Sequence, residues 1–442
     1  MEENMNRELL DFIAASPTAW HAVENLARRL REAGCRELYE EKNWELRPGE
    51  RCFVRRNGSS LIAFRVPTGC PAGFMLMAAH ADSPSFRLKE LETLGVAGLY
   101  AQLNVERYGG MLMASWLDRP LSVAGRVVVR DGESLVTRLV NLERDLALIP
   151  NLAIHMDRSQ NEGKNYDPKT DLLPLIGSEA SAESFRRLVA ESVGVAEADI
   201  VSAELQLYPR TPGTVWGVES EYISAPRLDD LQCVFGCAEG FLRAGESGSI
   251  PVLTVFDNEE VGSATRQGAG SGFLADTLER VAESLGLEGE GYRRLLAQSF
   301  LVSADNAHAV HPNHPEYADR VDRPQLNGGV VIKANANQRY TTDAVSAAVF
   351  AEICRRAGVP TQRYTNRADL PGGSTLGCIS LGQVAVRSVD IGLAQLAMHS
   401  CYETAGARDT AYLVSAAQRF FGSSLLVEDE RFRILDGKGE HA

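Results

Sequence analysis

The strongest constraint on the fold is a set of short stretches that are apolar without alternation: "GFMLMAA" (73–79), "IPVLTVF" (250–256), "SFLVSA" (299–304), "GGVVIKA" and "QVAVRSVDI". A strand with one wet face alternates apolar and polar residues. A strand covered on both faces reads as a continuous apolar run. Between these runs lie stretches of helical periodicity, "LDDLQCVFGCAEGFLRAG", "FLADTLERVAESLG", "TDAVSAAVFAEICRRAG" and "RDTAYLVSAAQRFFG". Strands that alternate with helices predict an α/β fold, with a central, mostly parallel sheet flanked by helices. Residues 7–34 predict a helix, a Ser-Pro break and a second helix.

Residues 92–218 have a different texture. "MLMASWLDRPLSVAGRVVVRDGESLVTRLVNL" alternates and carries glycine turns, and the polar "DRSQNEGKNYDPKTD" follows it. This predicts a β-rich insertion over 92–218, dividing an α/β domain made of 1–91 and 219–442. The chain's 442 residues accommodate one large domain with such an insertion. A formal net charge of −14 argues against nucleic acid or an anionic membrane surface as a partner. No apolar run reaches the roughly 18 residues of a transmembrane helix. The acidic start "MEENMNRELLDF" carries no secretory signal pattern. The eight cysteines are scattered without paired spacing and read as free thiols, so a cytoplasmic location is expected.

Three of the apolar runs end in residues of metal-ligand type. "GFMLMAA" leads into His80 and Asp82, "IPVLTVF" into Glu259 and Glu260, and "SFLVSA" into Asp305. In open α/β sheets, sites form beyond the carboxyl ends of the strands. Asp229 opens a predicted helix, and His399 follows an apolar run near the C-terminus. Two imidazoles and three carboxylates, His80, Asp229, Glu260, Asp305 and His399, suit two divalent cations about 3.5–4 Å apart with a bridging carboxylate. Asp229 is the expected bridge. The mixed nitrogen and oxygen set suits zinc, and also manganese or cobalt. Asp82, two residues from His80, is placed to orient that imidazole.

The adjacent glutamates in "FDNEEVGS" need different partners, since successive side chains of an extended segment point to opposite sides. Glu260 is the expected ligand. Glu259 is then free to act as a general base on a water activated by the metals.

The ordered motifs "HADSPSFRLK", "SAPRLDDLQ", "FDNEEVGS", "SADNAHAVHPN", "IKANANQRY", "GGSTLG" and "QLAMHS" resemble those of the aspartyl aminopeptidases, which are two-zinc exopeptidases. The resemblance extends to "SPTAWHAV" near the start and "YGGMLMASWLDRPLSVAGRVVV" in the insertion. It implies the same ligand set and the same base as the residues themselves suggest. It also implies that the insertion forms dimers, that dimers assemble into a tetrahedral dodecamer, and that His155 reaches a neighbouring subunit's active site to stabilise the oxyanion. Lys333 is implied at the substrate site, with Gly373 and Ser374 of "PGGSTLG" close to substrate. His308, His311 and His314 are read as a tight loop that buttresses Asp305, the prolines breaking any helical face.

The chain departs from the strictly acid-specific members at "RLDD", "GGST" and "HSCYETAG", where those have "RLDN", a Cys-Gly-Ser/Thr-Thr motif and "HSIRE". The ligands and base are untouched, but pocket walls change. The expected function is therefore a metallo-aminopeptidase acting on peptides, with acidic or neutral N-terminal residues. The alternatives are a two-metal deacylase or carboxypeptidase on a related fold, and a scaffold without catalysis.

Overall fold

A computed structural model describes residues 2–437. Its centre is a nine-stranded mixed sheet. In spatial order the strands are Arg36–Leu38, Arg51–Arg56, Ser60–Arg65, Ile250–Phe256, Phe74–His80, Phe300–Ala304, Arg387–Gly392, Val330–Lys333 and Thr361–Tyr364. The four strands Ile250–Phe256, Phe74–His80, Phe300–Ala304 and Arg387–Gly392 are mutually parallel and form the middle of the sheet.

The continuous apolar runs are explained by cover on both faces. Every residue of Phe74–His80 and of Ile250–Phe256 is buried. Met75, Met77 and Leu253 pack under the helices Ala19–Glu32, Leu228–Arg243 and Asp409–Phe421, with Phe235, Leu413 and Phe420 among their neighbours. Phe74, Leu76 and Val252 pack on the opposite side, against Phe273, Leu278 and Val281 of the helix Phe273–Ser284. The predicted Ser-Pro break falls between helices Glu2–Ala15 and Ala19–Glu32.

The parallel register sets where the site forms. Phe256 lies beside His80, and Phe300–Ala304 runs alongside both Phe74–His80 and Arg387–Gly392. The residues that follow these strands therefore emerge along one edge of the sheet.

A second sheet of six antiparallel strands begins with Ser85–Val96, ahead of residue 92, and its last strand in sequence is Ile200–Pro209. It has its own core around Phe86, Trp116, Val123 and Phe185. A five-stranded sheet that includes Tyr222–Ala225, Ala394–Leu396 and Glu403–Gly406 lies at the edge of the site.

The helix Leu228–Arg243 lies close against Asp409–Phe421 through two glycines four residues apart. A Cβ on Gly236 would come 2.7 Å from Leu413 Cδ2, and one on Gly240 would come 2.3 Å from Ala417 Cβ. Gly240→Ala gains about 1 kcal/mol of helix propensity but overpacks this contact at about 1–3 kcal/mol. A lowered melting temperature is expected by calorimetry. An unchanged or raised one would contradict the close-packing account.

Candidate metal centre

Three loops and one helix start supply the site. His80 ends its strand, while Glu259 and Glu260 sit in a short 3-10 turn after Ile250–Phe256. Asp305 follows Phe300–Ala304, and Asp229 stands at the irregular start of Leu228–Arg243, joined to Asp230 by a cis peptide. The backbone is left-handed at Asn258 (φ 63°) and His399 (φ 65°), as non-glycine residues at functional sites often are.

These turns bring the five expected ligands together. Asp229 is the shared member. Its Oδ1 lies 3.8 Å from His80 Nε2, and its Oδ2 lies 3.4 Å from His399 Nε2. The Glu260 Oε1 atom is also 3.4 Å from His399 Nε2. Two overlapping sets of donor atoms result: His80, Asp229, Asp230 and Asp305, and Asp229, Glu260 and His399. A third set joins His80, Glu259 and Glu260. Asp230, which the sequence reading left out, accepts a hydrogen bond from the His80 amide at 3.2 Å.

The donor set fits divalent cations. Asp229 Oδ1, Asp230 Oδ1 and Glu260 Oε1 are buried and have no hydrogen-bond partner. Buried carboxylate oxygens left unpaired are costly unless protons or cations meet them. Burial raises the pKa of Glu260 strongly, and Asp229 and Asp82 add to that while His399 and His80 oppose it. His399 moves the other way. Burial penalises its imidazolium, but the Asp229 hydrogen bond and the Glu260 charge outweigh this and lift its pKa to about 10. The Glu260 and Asp230 carboxyls are thus pushed up by burial, while beside the two imidazoles Asp229 is held below its ordinary value, chiefly by the His399 hydrogen bond acting against burial.

Glu259 is pushed up to about 7, by burial first, with Asp305, Asp82 and Asp229 raising it further and His80 opposing. That is near the optimum for exchanging protons at neutral pH.

The supporting residues differ in part from the expectation. His80 Nδ1 lies 3.0 Å from the Asp82 backbone carbonyl and 3.5 Å from the Asp82 carboxylate. The carboxylate's main partners are elsewhere. Asp82 Oδ1 accepts the amide of Glu259, and Oδ2 accepts the amide of Glu260, each at 3.1 Å. The Tyr108 hydroxyl donates to Asp82 Oδ2 at 2.7 Å and accepts from Asn258 Nδ2 at 2.8 Å. Tyr108 belongs to the six-stranded sheet. Next to it, Gly109 (φ +73°) lies so close that a Cβ would come 3.1 Å from Glu260 Cβ.

Glu403 was missed. It is buried, and its two carboxylate oxygens accept the amides of Asp229 at 2.9 Å and His399 at 2.7 Å. Its only sequence signal was an acidic residue shortly after His399, in a strand of otherwise small residues.

Lys333 lies under Asp305. It is 2% exposed, and its Nζ donates to the Asp305 backbone carbonyl at 2.7 Å and lies 3.7 Å from Asp305 Oδ2. Gly373 and Ser374 stand on an exposed loop. Gly372 of that loop, with His308, Tyr364 and Leu396, lines a cavity of about 390 Å³. His311 and His314 are exposed on the rim of this cavity and form no metal cluster among the described residues. His311 accepts the Asn313 amide and His314 pairs with Glu316, while the side chain set against Asp305 is that of Lys333. His155 is exposed in the six-stranded region, and no contact with the metal cluster of its own chain is recorded among the described residues.

The comparisons agree with this chemistry. The family model described as "Aminopeptidase I zinc metalloprotease (M18)" matches residues 12–421. A protein of Clostridium acetobutylicum named "Probable M18 family aminopeptidase 2" is 44% identical over 423 residues, covering 94% of this chain and 98% of its own. A protein of the same name from Pseudomonas paraeruginosa is 43% identical over 435 residues, covering 96% of this chain and 100% of its own. Among solved structures, a chain from "Cryo-EM structure of the Ape4 and Nbr1 complex" superposes with a TM-score of 0.92 at 36% identity, over 95% of this chain and 86% of that one. The mApe1 dodecamer of S. cerevisiae superposes with a TM-score of 0.83 at 28% identity, over 95% and 96%. The chain therefore belongs to the aminopeptidase I zinc metalloprotease (M18) family, and it is a metallo-aminopeptidase.

Proposed function

We propose that this aminopeptidase hydrolyses the first peptide bond of short peptides at a two-cation centre, with Glu259 as general base. The observation that carries the reading is the position of Asp229, whose two carboxylate oxygens face different imidazoles. His80, Asp229, Glu260, Asp305 and His399 would hold two divalent cations, zinc by the family's description, which when bound would supply Lewis acidity toward a water and the scissile carbonyl. Glu259 takes the proton of the attacking water and returns it to the leaving nitrogen. Asp82 holds the amides of the base and of its neighbour Glu260, which fixes the direction of each carboxylate. Lys333 grips the carbonyl of Asp305 and steadies that ligand.

The substrate's first side chain enters the cavity beside His308 and Tyr364. Its lining includes His308, His311, His314 and Asp322, and no lysine or arginine among the described residues. Such walls favour neutral side chains, with the histidines the groups available to meet an acidic one. Gly373 and Ser374 bring backbone close to the bound peptide.

His155 completes the site of a neighbouring subunit as an oxyanion donor. Leu152, Ile154 and Met156, exposed by 46%, 45% and 77%, flank it and support burial against another copy. Dimers of this kind assemble into a tetrahedral dodecamer, in keeping with the dodecamer reported for the S. cerevisiae relative. All eight cysteines are free thiols, which supports a reducing, cytoplasmic setting. No helix is long and apolar enough to cross a membrane among the described residues.

The test is a panel of peptides beginning with Asp, Glu, Leu, Ala or Lys, assayed after chelation and restoration of zinc, manganese or cobalt. Metal-dependent release of the first residue, with an N-acetylated peptide left intact, is expected. Cleavage of the N-acetylated peptide alone would overturn the aminopeptidase reading in favour of a deacylase.

Trans action has its own test. Co-expressed His155→Ala and Glu259→Gln chains should recover activity that each lacks alone, since some sites then pair an intact base with a neighbour's intact His155. No recovery in mixed oligomers would contradict the role of His155.

A further inference from the structure

Asp390 belongs to the strand Arg387–Gly392 of the central sheet. In register it lies beside Ser303 of one neighbouring strand and Lys333 of the other. Its side chain is fully buried. A buried carboxylate needs partners, and the Lys333 ammonium is spent on Asp305. Asp390 meets an amide and two hydroxyls instead. The Thr341 amide donates to its Oδ2 at 2.6 Å, and the Thr341 hydroxyl donates to the same oxygen at 2.7 Å. The Thr375 hydroxyl donates to Oδ1 at 2.5 Å. The two oxygens thus hold two different segments. Thr341 follows the strand Val330–Lys333, and Thr375 follows the strand Thr361–Tyr364.

Thr375 is the informative partner. It stands at the N-cap of the short helix Leu376–Leu381, yet its side chain makes no capping hydrogen bond. A threonine in that position ordinarily accepts from an amide of the first turn. Here the hydroxyl serves Asp390. Two residues on, a Cβ at Gly377 would come 2.9 Å from Asp390 Oδ1 and 2.8 Å from Ser303 Cβ. The chain is therefore seated on the central strands directly after residues 371–374, which are themselves exposed.

The near end of that loop rests on Asn366. A Cβ on Gly372 (φ +66°) would come 2.5 Å from Asn366 Nδ2, and this amide donates to the Tyr364 hydroxyl at 2.9 Å. Gly372, Asn366, Tyr364 and His308 all line the cavity of about 390 Å³. The Tyr364 ring lies edge-on to His308 and to Tyr340, with centroids 6.0 Å and 6.3 Å apart. Tyr340 precedes Thr341, and the Lys333 ammonium lies 5.2 Å from its ring centroid. Both segments held by Asp390 therefore border the cavity or the side chains that line it.

We propose that Asp390 is a positioning residue for peptide binding. Through Thr375 it fixes the loop 371–374 relative to the strand that leads into Asp305, and through Thr341 it fixes Tyr340 behind Tyr364. Asp390 belongs to none of the metal donor sets and acts only through the two threonines. The inference rests on the proposed approach of Gly373 and Ser374 to the bound peptide, and on neither the metal count nor the base. Its consequence is a separation of binding from chemistry. A loosened loop weakens the hold on the peptide while the metal ligands and Glu259 stay in place.

The experiment assays full-length Thr375→Val, Thr375→Ser, Asp390→Asn and Gly373→Leu with peptides beginning in Leu or Ala. Metal content and melting temperature are measured beside the kinetics. Thr375→Val removes the donor without removing a helix cap. It is expected to raise KM about tenfold, with kcat within about twofold of the parent and metal content unchanged. Thr375→Ser keeps the donor and should keep a KM near the parental one. Asp390→Asn should raise KM in the same direction; should it fold poorly, Thr375→Val carries the test. Gly373→Leu probes the loop by itself, because nothing lies within 4 Å of a Cβ there, and it should raise KM. A parental KM in Thr375→Val beside a raised one in Gly373→Leu would overturn the role of Asp390 and leave the loop's approach to the peptide standing. Parental KM values in both would overturn both. Loss of metal, or a fall in kcat equal to the fall in kcat/KM, in Thr375→Val would make Asp390 a support of the metal centre and overturn the proposal. So would a serine variant as impaired as the valine one.

Discussion

Glu259→Gln is expected to retain the enzyme's cations and to lose about 10²–10⁴-fold in kcat, the usual contribution of a positioned general base. Glutamine keeps the size and hydrogen-bonding reach of the side chain but cannot take a proton. The backbone of residue 259 stays anchored through its amide on Asp82 Oδ1, so the turn should hold its shape. The metal content is the decisive second readout, because Glu259 also stands in a donor set with His80 and Glu260. If Glu259 were chiefly a ligand, the variant would lose metal together with activity. Metal analysis by mass spectrometry beside single-turnover kinetics separates the two cases. Full metal content with near-parental turnover would sink the base assignment.

The second large effect is expected at Asp229. It is the residue common to the two overlapping donor sets, facing His80 with one oxygen and His399 with the other. Asp229→Ala should empty both positions, whereas Asp305→Ala should weaken chiefly the one it shares with His80. Loss of outer partners of metal ligands already costs about 10–100-fold in metal affinity or activity, so loss of the shared ligand should exceed about 100-fold in affinity. Chelator competition gives the affinity, and the melting temperature shows that the variant is folded. Two cations bound with parental affinity in Asp229→Ala would rule out the bridge.

The sequence reading worked where local pattern and position coincide. Continuous apolar runs marked the buried strands, since cover on both faces leaves no polar side for Met75, Leu76 and Met77 to alternate with. Parallel strands expose their carboxyl ends along one edge, so His80, Glu259, Glu260 and Asp305 could be grouped before any coordinates. Residues that act through long-range contact were invisible in the sequence. Glu403 reaches two amides only because the chain reverses at His399, and Tyr108 meets Asp82 only because a strand of the second sheet passes over the first. The inward turn of Lys333 was equally illegible, because its ammonium is held by the carbonyl and carboxylate of Asp305, which lies 28 residues earlier in the chain.

Tyr108 and Gly109 give the second sheet a place in the catalytic skeleton. The hydroxyl of Tyr108 completes the carboxylate that anchors both glutamates, and Gly109 presses against Glu260. A minimal enzyme therefore cannot be carved out by deleting that sheet and rejoining the strands that carry the ligands. The excision would leave every proposed ligand and the base in the chain and still loosen the geometry they share. Changes in the second sheet and in the turn that carries the two glutamates therefore constrain one another through a single tyrosine hydroxyl.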